Sequence, residues 1–228
     1  MKLAALAFDL DNTLINFMLF KRKSAQAAAA AMVEQGLPIS KEEAQGRIFQ
    51  IYSKKGIEYQ KTFFDVVYPF HLPLNDAERI QQAGILAYLK TKFAVLHPYP
   101  DVPQTLHELR SKYRLAVVTD APRNKAWQRL ILANLAGYFD IVVTYHDTNS
   151  SKPAAAPFLK LLSSLALEPS QILFTGDNLS RDIRGAKLAG MRTCFAKYGS
   201  IIGMDDSVKP DFEIERFSDL LKIISSIQ

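Results

Sequence analysis

A chain of 228 residues with 48% hydrophobic content can bury a real core, as one large domain or as a core domain with a smaller insert. Its 22% charged residues are ordinary for a soluble globular protein. Lys and Arg total 28 against 23 Asp and Glu, a net charge of +5, but no basic block exceeds Lys21-Arg22-Lys23. That distribution argues against a nucleic-acid partner and leaves attraction to small anionic substrates as the use of the excess.

The first element follows at once. Leu3-Ala4-Ala5-Leu6-Ala7-Phe8 is an apolar run that reads as a buried strand of a parallel sheet. On leaving it the chain presents Asp9 and Asp11 in the stretch Phe8-Asp9-Leu10-Asp11-Asn12-Thr13-Leu14. In extended geometry these carboxylates point to the same side, about 7 Å apart. Their repulsion must be offset by solvent, a cation or a bound metal. Two readings stand at this point: an acidic turn with Asn12 and Thr13 as turn formers, or a chemical site.

From about Phe17 to Lys92 the patterns are helical. Lys21 to Gln35 is Ala-rich and stops at Gly36. Ser40-Lys41-Glu42-Glu43 has the spacing of a capping box opening a helix towards Tyr52. Gln60 to Tyr68 is an aromatic segment of open type closed by Pro69. Asn75-Asp76-Ala77-Glu78 starts a further helix with Ile80, Gly84, Ala87 and Tyr88 on one face. The block has the size of a small helical subdomain and carries no metal or nucleophile signature. His97-Pro98-Tyr99-Pro100 is stiff punctuation that marks the return to the core, and Asp101 is expected to cap a helix running to about Lys112.

The rest alternates. Strands are expected at 115–119, 141–144, 172–175, 192–196 and, briefly, 212–214. Helices are expected at 124–134, 155–165, 181–189 and 217–227. Such alternation with apolar strands means a doubly wound parallel sheet with helices on both faces, an α/β fold. The single cysteine, Cys194, excludes an internal disulfide framework and fits a reducing compartment; in Thr193-Cys194-Phe195-Ala196 it reads as a small buried hydrophobe. With no signal-peptide pattern at the start and no apolar run of membrane-spanning length, a cytoplasmic protein without a membrane partner is expected.

Ligands of open parallel sheets bind beyond the carboxyl ends of the strands. Asp9 and Asp11 follow the first strand, Thr119 and Asp120 the second, and Lys152-Pro153 the loop beyond the third. Gly176-Asp177-Asn178 follow the fourth, with Asp182 five residues past Asp177. Each is weak alone; together they place carboxylates, a hydroxyl and an amine at one edge. Oxygen ligands without a His or Cys cluster suit Mg²⁺ rather than Zn²⁺. A carboxylate nucleophile can split phosphate-ester hydrolysis into two easier steps, with a second carboxyl moving the protons.

These four motifs, in this order and across essentially the whole chain, resemble the haloacid dehalogenase-like (HAD) superfamily. The resemblance implies a Rossmann-like core of residues 1–15 and 97–228 with a helical cap at 16–96, the first strand being central. It implies Asp9 as nucleophile and Mg²⁺ ligand, and Asp11 as general acid/base that also ligates the metal through its backbone carbonyl. Thr119 would bind the phosphoryl group and Lys152 would neutralise the Asp9–phosphate pair. Asp177 would be a metal ligand, with Asp182 ordering the metal's waters or Lys152.

The resemblance points to a Mg²⁺-dependent phosphatase acting on a small phosphorylated metabolite. The same fold also serves 2-haloacid dehalogenases, which lack the second Asp, and phosphomutases, which only substrate tests separate from hydrolases. A non-catalytic binding protein would not need all these side chains at one edge. Asp120, where many relatives have Asn or Ser, must point away or pair, with Arg123 as a candidate; His146 is expected on a surface loop. Specificity is expected in the cap, with Lys21, Arg22, Lys54 and Lys55 as candidates, and the sequence leaves monomer or homodimer open.

Overall fold

The computed structural model describes residues 2–201 and 207–227. The chain divides into two compact units, Met1–Asn16 with His97–Gln228, and Phe17–Leu96. In chain order, β1 (Ala5–Phe8) is followed by the helices α1 (Phe17–Glu34), α2 (Lys41–Lys55), α3 (Thr62–Val67) and α4 (Leu74–Val95). The remaining elements are α5 (Val102–Arg110), β2 (Arg114–Val118), α6 (Arg123–Leu132), β3 (Ile141–Val143), α7 (Tyr145–Thr148), α8 (Ala155–Leu165), β4 (Ile172–Gly176), α9 (Arg184–Leu188), β5 (Arg192–Ala196), β6 (Phe212–Ile214) and α10 (Leu220–Ile227).

The larger unit is the doubly wound α/β fold expected from the alternation. Its six strands run parallel in the order β3-β2-β1-β4-β5-β6. The chain steps outward from β1 to β2 and β3, then crosses back to place β4 on the other side of β1, so the order reverses between β1 and β4. At such a switch point the loops splay apart and leave a crevice at the strand ends. Side chains alternate across β1 as a two-residue period requires. Ala5 and Ala7 face a core with Val118, Phe174 and, from α8, Phe158, Leu161 and Leu165. Phe8 turns to the other face, its ring 5.4 Å from that of Phe217 just before α10. Both faces being covered explains why the strands read as unbroken apolar runs. Cys194 is fully buried on β5, and burial pushes its thiol up to about 12, the inert state expected of it.

The smaller unit is helical throughout, among the described residues. Its core joins Ala25, Ala28, Ala29 and Met32 of α1 to Ala44, Ile48 and Tyr52 of α2, Val66 and Val67 of α3, and Ile80 of α4. Lys21 differs from a solvated specificity cation: it is buried, its ammonium donates to Ile57 O at 2.8 Å and lies 5.0 Å from the centre of the Tyr52 ring. Lys55 pairs with Asp65 at 2.7 Å.

Three local expectations are corrected. The Ser40 box is half formed, because Ser40 accepts from Glu43 N while the Glu43 carboxylate is taken by Arg47 one turn on. Asp101 sits at the start of α5 without capping it, since its carboxylate accepts from Ser218 N at 2.8 Å. The helix expected at 181–189 begins earlier as a π-turn, Leu179–Ile183, before α9. No helix among the described residues is long and apolar enough to cross a membrane.

Candidate active site

The chain leaves β1 into a tight loop. Leu14 N and Ile15 N both donate to Leu10 O, and Asn12 takes a left-handed conformation (φ 61°) that Asn tolerates better than most residues. The loop is braced from behind by the turn after β5. Tyr198 Oη donates to Thr13 O at 2.6 Å, and Gly199 lies so close that a Cβ there would overlap the Asn12 carbonyl. Asp9 and Asp11 are thus presented by a loop held at several points.

Asp9 is buried, and its Oδ1 accepts a hydrogen bond from Lys152 Nζ. The same ammonium donates to Val118 O at 3.0 Å and lies 2.7 Å from Asp182 Oδ1, an ion pair without the alignment of a hydrogen bond. Asp182 reaches this point by folding back over the end of β4. Gly176 permits it, since a Cβ there would lie 2.6 Å from Asp182 Oδ2, and Asn178 N donates to that same oxygen at 3.1 Å. Thr119, buried at the end of β2, donates its N–H to Val143 O, while its Oγ1 accepts from Ala121 N at 3.1 Å.

Asp9, Asp177 and Asp182 each offer a carboxylate oxygen within 4.8 Å of the others, all three being buried. Asp177 Oδ1 has no hydrogen-bond partner among the described residues. Burial raises Asp9 to about 7, with Lys152 opposing the rise and Asp182 and Asp11 adding to it. Burial, then Asp182 and Asp9, push Asp177 up to about 9. Crowded buried carboxylates with an unsatisfied oxygen are what a hard divalent cation relieves, and an all-oxygen set matches Mg²⁺ better than Zn²⁺. The residues present therefore fit such an ion.

Residues 6–196 match the haloacid dehalogenase-like hydrolase family. The chain is 33% identical to a glyceraldehyde 3-phosphate phosphatase of Methanopyrus kandleri, over 98% of this chain and 97% of that one. Its namesake in Methanocaldococcus jannaschii is also 33% identical, over 97% and 96%. Among solved structures, a HAD phosphatase from Thermococcus onnurineus is 29% identical with a TM-score of 0.68, covering 97% of this chain and 98% of that one. The chain belongs to the haloacid dehalogenase-like hydrolase family. Within it, the chain is an enzyme of the phosphatase type.

In this haloacid dehalogenase-like hydrolase, the structure brings Asp9, Lys152, Asp177 and Asp182 into one buried cluster. Asp11 stands beside them and is held by a residue that sequence reasoning missed: Arg129 of α6, buried, whose Nη1 lies 2.5 Å from Asp11 Oδ2. The signal was present, because Ala126, Arg129 and Leu130 share the buried face of α6, and a charge on an apolar face needs a partner. Arg123 does not pair with Asp120; it goes to Asp147 at 2.6 Å, while its backbone N–H donates to His146 Nδ1. Asp120 instead accepts from Lys152 N at 2.9 Å and pairs with Arg181 at 3.3 Å. His146, exposed on α7, serves the start of α6 rather than the acidic cluster.

Proposed function

We propose that this hydrolase is a Mg²⁺-dependent phosphatase of small phosphomonoesters that works through an aspartyl-phosphate on Asp9. The observation that carries the reading is the pairing of buried Asp9 with Lys152 inside a cluster of three carboxylates, with Asp11 two residues on. Asp9, Asp177 and the Asp11 backbone carbonyl are assigned to Mg²⁺, with Asp182 holding Lys152 or the ion's waters. The bound ion would offset negative charge on the phosphoryl oxygens.

Asp9 Oδ attacks phosphorus as the bond to the leaving oxygen breaks, and Asp11 gives its proton to that oxygen. Asp11, now a carboxylate, takes a proton from the water that attacks the acyl phosphate, which returns Asp9 and releases inorganic phosphate. Lys152 orients Asp9 through the cycle, Arg129 orients Asp11, and the Thr119 hydroxyl donates to a phosphoryl oxygen. Asp11 favours this chemistry over dehalogenation, where a halide leaves without a proton. The helical unit is assigned the role of a cap that selects the substrate and excludes water.

Glyceraldehyde 3-phosphate is the first candidate substrate, since the near-full-length relatives carry that name. The test is hydrolysis of a generic aryl phosphate with Mg²⁺ and with EDTA, followed by a panel of triose phosphates, phosphoglycolate, sugar phosphates and nucleotides. Activity should disappear in EDTA, return with Mg²⁺, and give its highest kcat/KM on a triose phosphate. Full turnover in EDTA would overturn the metal assignment, and a preference for hexose phosphates or nucleotides would overturn the substrate.

A further inference from the structure

The cation nearest the nucleophile is already committed inside the protein. The Lys152 side chain is 1% exposed, and its ammonium faces Asp9 Oδ1, Asp182 Oδ1 and Val118 O. An ammonium has three N–H donors. Two are spent on Asp9 Oδ1 and Val118 O, and one positive charge there answers the carboxylates of both Asp9 and Asp182. Beside the ion and the Thr119 hydroxyl assigned above, a phosphoryl dianion arriving at Asp9 therefore gains from a second protein cation with donors to spare.

Arg181 is such a cation. It lies on the π-turn after β4, one residue before Asp182, and its side chain is 45% exposed. Among the described residues its guanidinium makes one ion pair, Nη1 to Asp120 Oδ2 at 3.3 Å, out of five N–H donors. Burial works to lower its pKa, but the carboxylates of Asp182, Asp9, Asp120 and Asp177 hold it above the ordinary value, so it stands within electrostatic reach of the whole cluster. Asp120 fixes the arrangement, because Oδ1 accepts from Lys152 N and Oδ2 receives Arg181. One carboxylate thereby ties together the loops that follow β2, β3 and β4.

We propose that Arg181 is a substrate-binding residue of this site, aimed by Asp120, whose remaining guanidinium N–H groups receive oxygens of the phosphoryl dianion. The inference rests on the phosphatase reading above. A planar guanidinium presents parallel donors that match two phosphate oxygens, which the enclosed ammonium of Lys152 does not offer. It also explains how a carboxylate is tolerated beside the phosphate loop: the charge of Asp120 is matched by Arg181 before any anion arrives.

The test compares wild type, Arg181→Ala, Arg181→Lys and Asp120→Ala on an aryl phosphate with Mg²⁺. It reads kcat, KM and the inhibition constant of orthophosphate, with Arg181→Gln in reserve if the Ala variant does not fold. Arg181→Ala should raise KM and the orthophosphate constant about tenfold or more while kcat falls less, and Arg181→Lys should recover part of both. Asp120→Ala keeps the guanidinium and should shift both constants less than Arg181→Ala. The assignment is overturned if Arg181→Ala leaves both constants within about twofold of wild type, or if Asp120→Ala reproduces its shifts in full, which would make Arg181 a brace for Asp120. A wild type that hydrolyses no phosphomonoester defeats the phosphatase reading instead.

Discussion

Asp9→Asn is expected to lower kcat by about 10⁴-fold or more on any phosphomonoester, with the fold intact. The amide keeps an oxygen for Lys152 but is a far weaker nucleophile than a carboxylate. The substitution also removes one of three crowded carboxylates, at a position where burial and the neighbouring Asp182 and Asp11 already push the acid to about 7 against the pull of Lys152. Thermal stability should therefore stay level or rise. Steady-state kinetics and a melting curve on the same preparation separate the two effects. A variant retaining a tenth of wild-type kcat would remove Asp9 as the nucleophile.

The second large effect is on stability. Asp9 and Asp177 titrate near 3.8 when unfolded, but at about 7 and about 9 in the folded, metal-free protein, chiefly because both are buried. A carboxylate with a raised folded pKa keeps its proton in the native state where the unfolded chain has released it. Folding stability from these groups is then intact below about pH 4 and falls as pH rises towards about 9. The loss should amount to several kcal/mol. Asp147 and Asp211, held below the ordinary value by their hydrogen bonds despite some burial, act at the acid end and do not oppose this trend. Mg²⁺ favours the ionised cluster, so adding it should stabilise most at high pH and flatten the curve. Urea titrations from about pH 5 to 9, with EDTA and with Mg²⁺, check both signs. Equal stabilisation by Mg²⁺ across that range would place the ion elsewhere.

Much of this was legible in the sequence because the signals are local. An apolar run ending in Asp9-Leu10-Asp11 gives a buried strand and what its end presents, and the regular alternation after Pro100 gives the parallel sheet. The motif residues fall at strand ends in register, so topology alone gathers Asp9, Thr119 and Asp177 at one edge. What escaped was set by partners far apart in the chain. Arg129 meets Asp11 across 118 residues, Tyr198 braces Thr13 across 185, and Asp120 pairs with Arg181 rather than with Arg123 in its own loop, which Asp147 holds. Capping patterns failed for a related reason. The carboxylates of Glu43 and Asp101 found competing donors in Arg47 and Ser218, and no local rule ranks those above a helix start.

The proposed cycle turns on a covalent phosphate carried by Asp9. The direct measurement is to quench the enzyme in acid during turnover of an aryl phosphate with Mg²⁺, reduce it with borohydride, and sequence the peptide spanning residues 3–21 by mass spectrometry. Homoserine in place of aspartate at position 9, dependent on substrate and Mg²⁺ and absent from Asp9→Asn, is the predicted result. Turnover with a demonstrated burst of product but with the reduced residue at another position would contradict it.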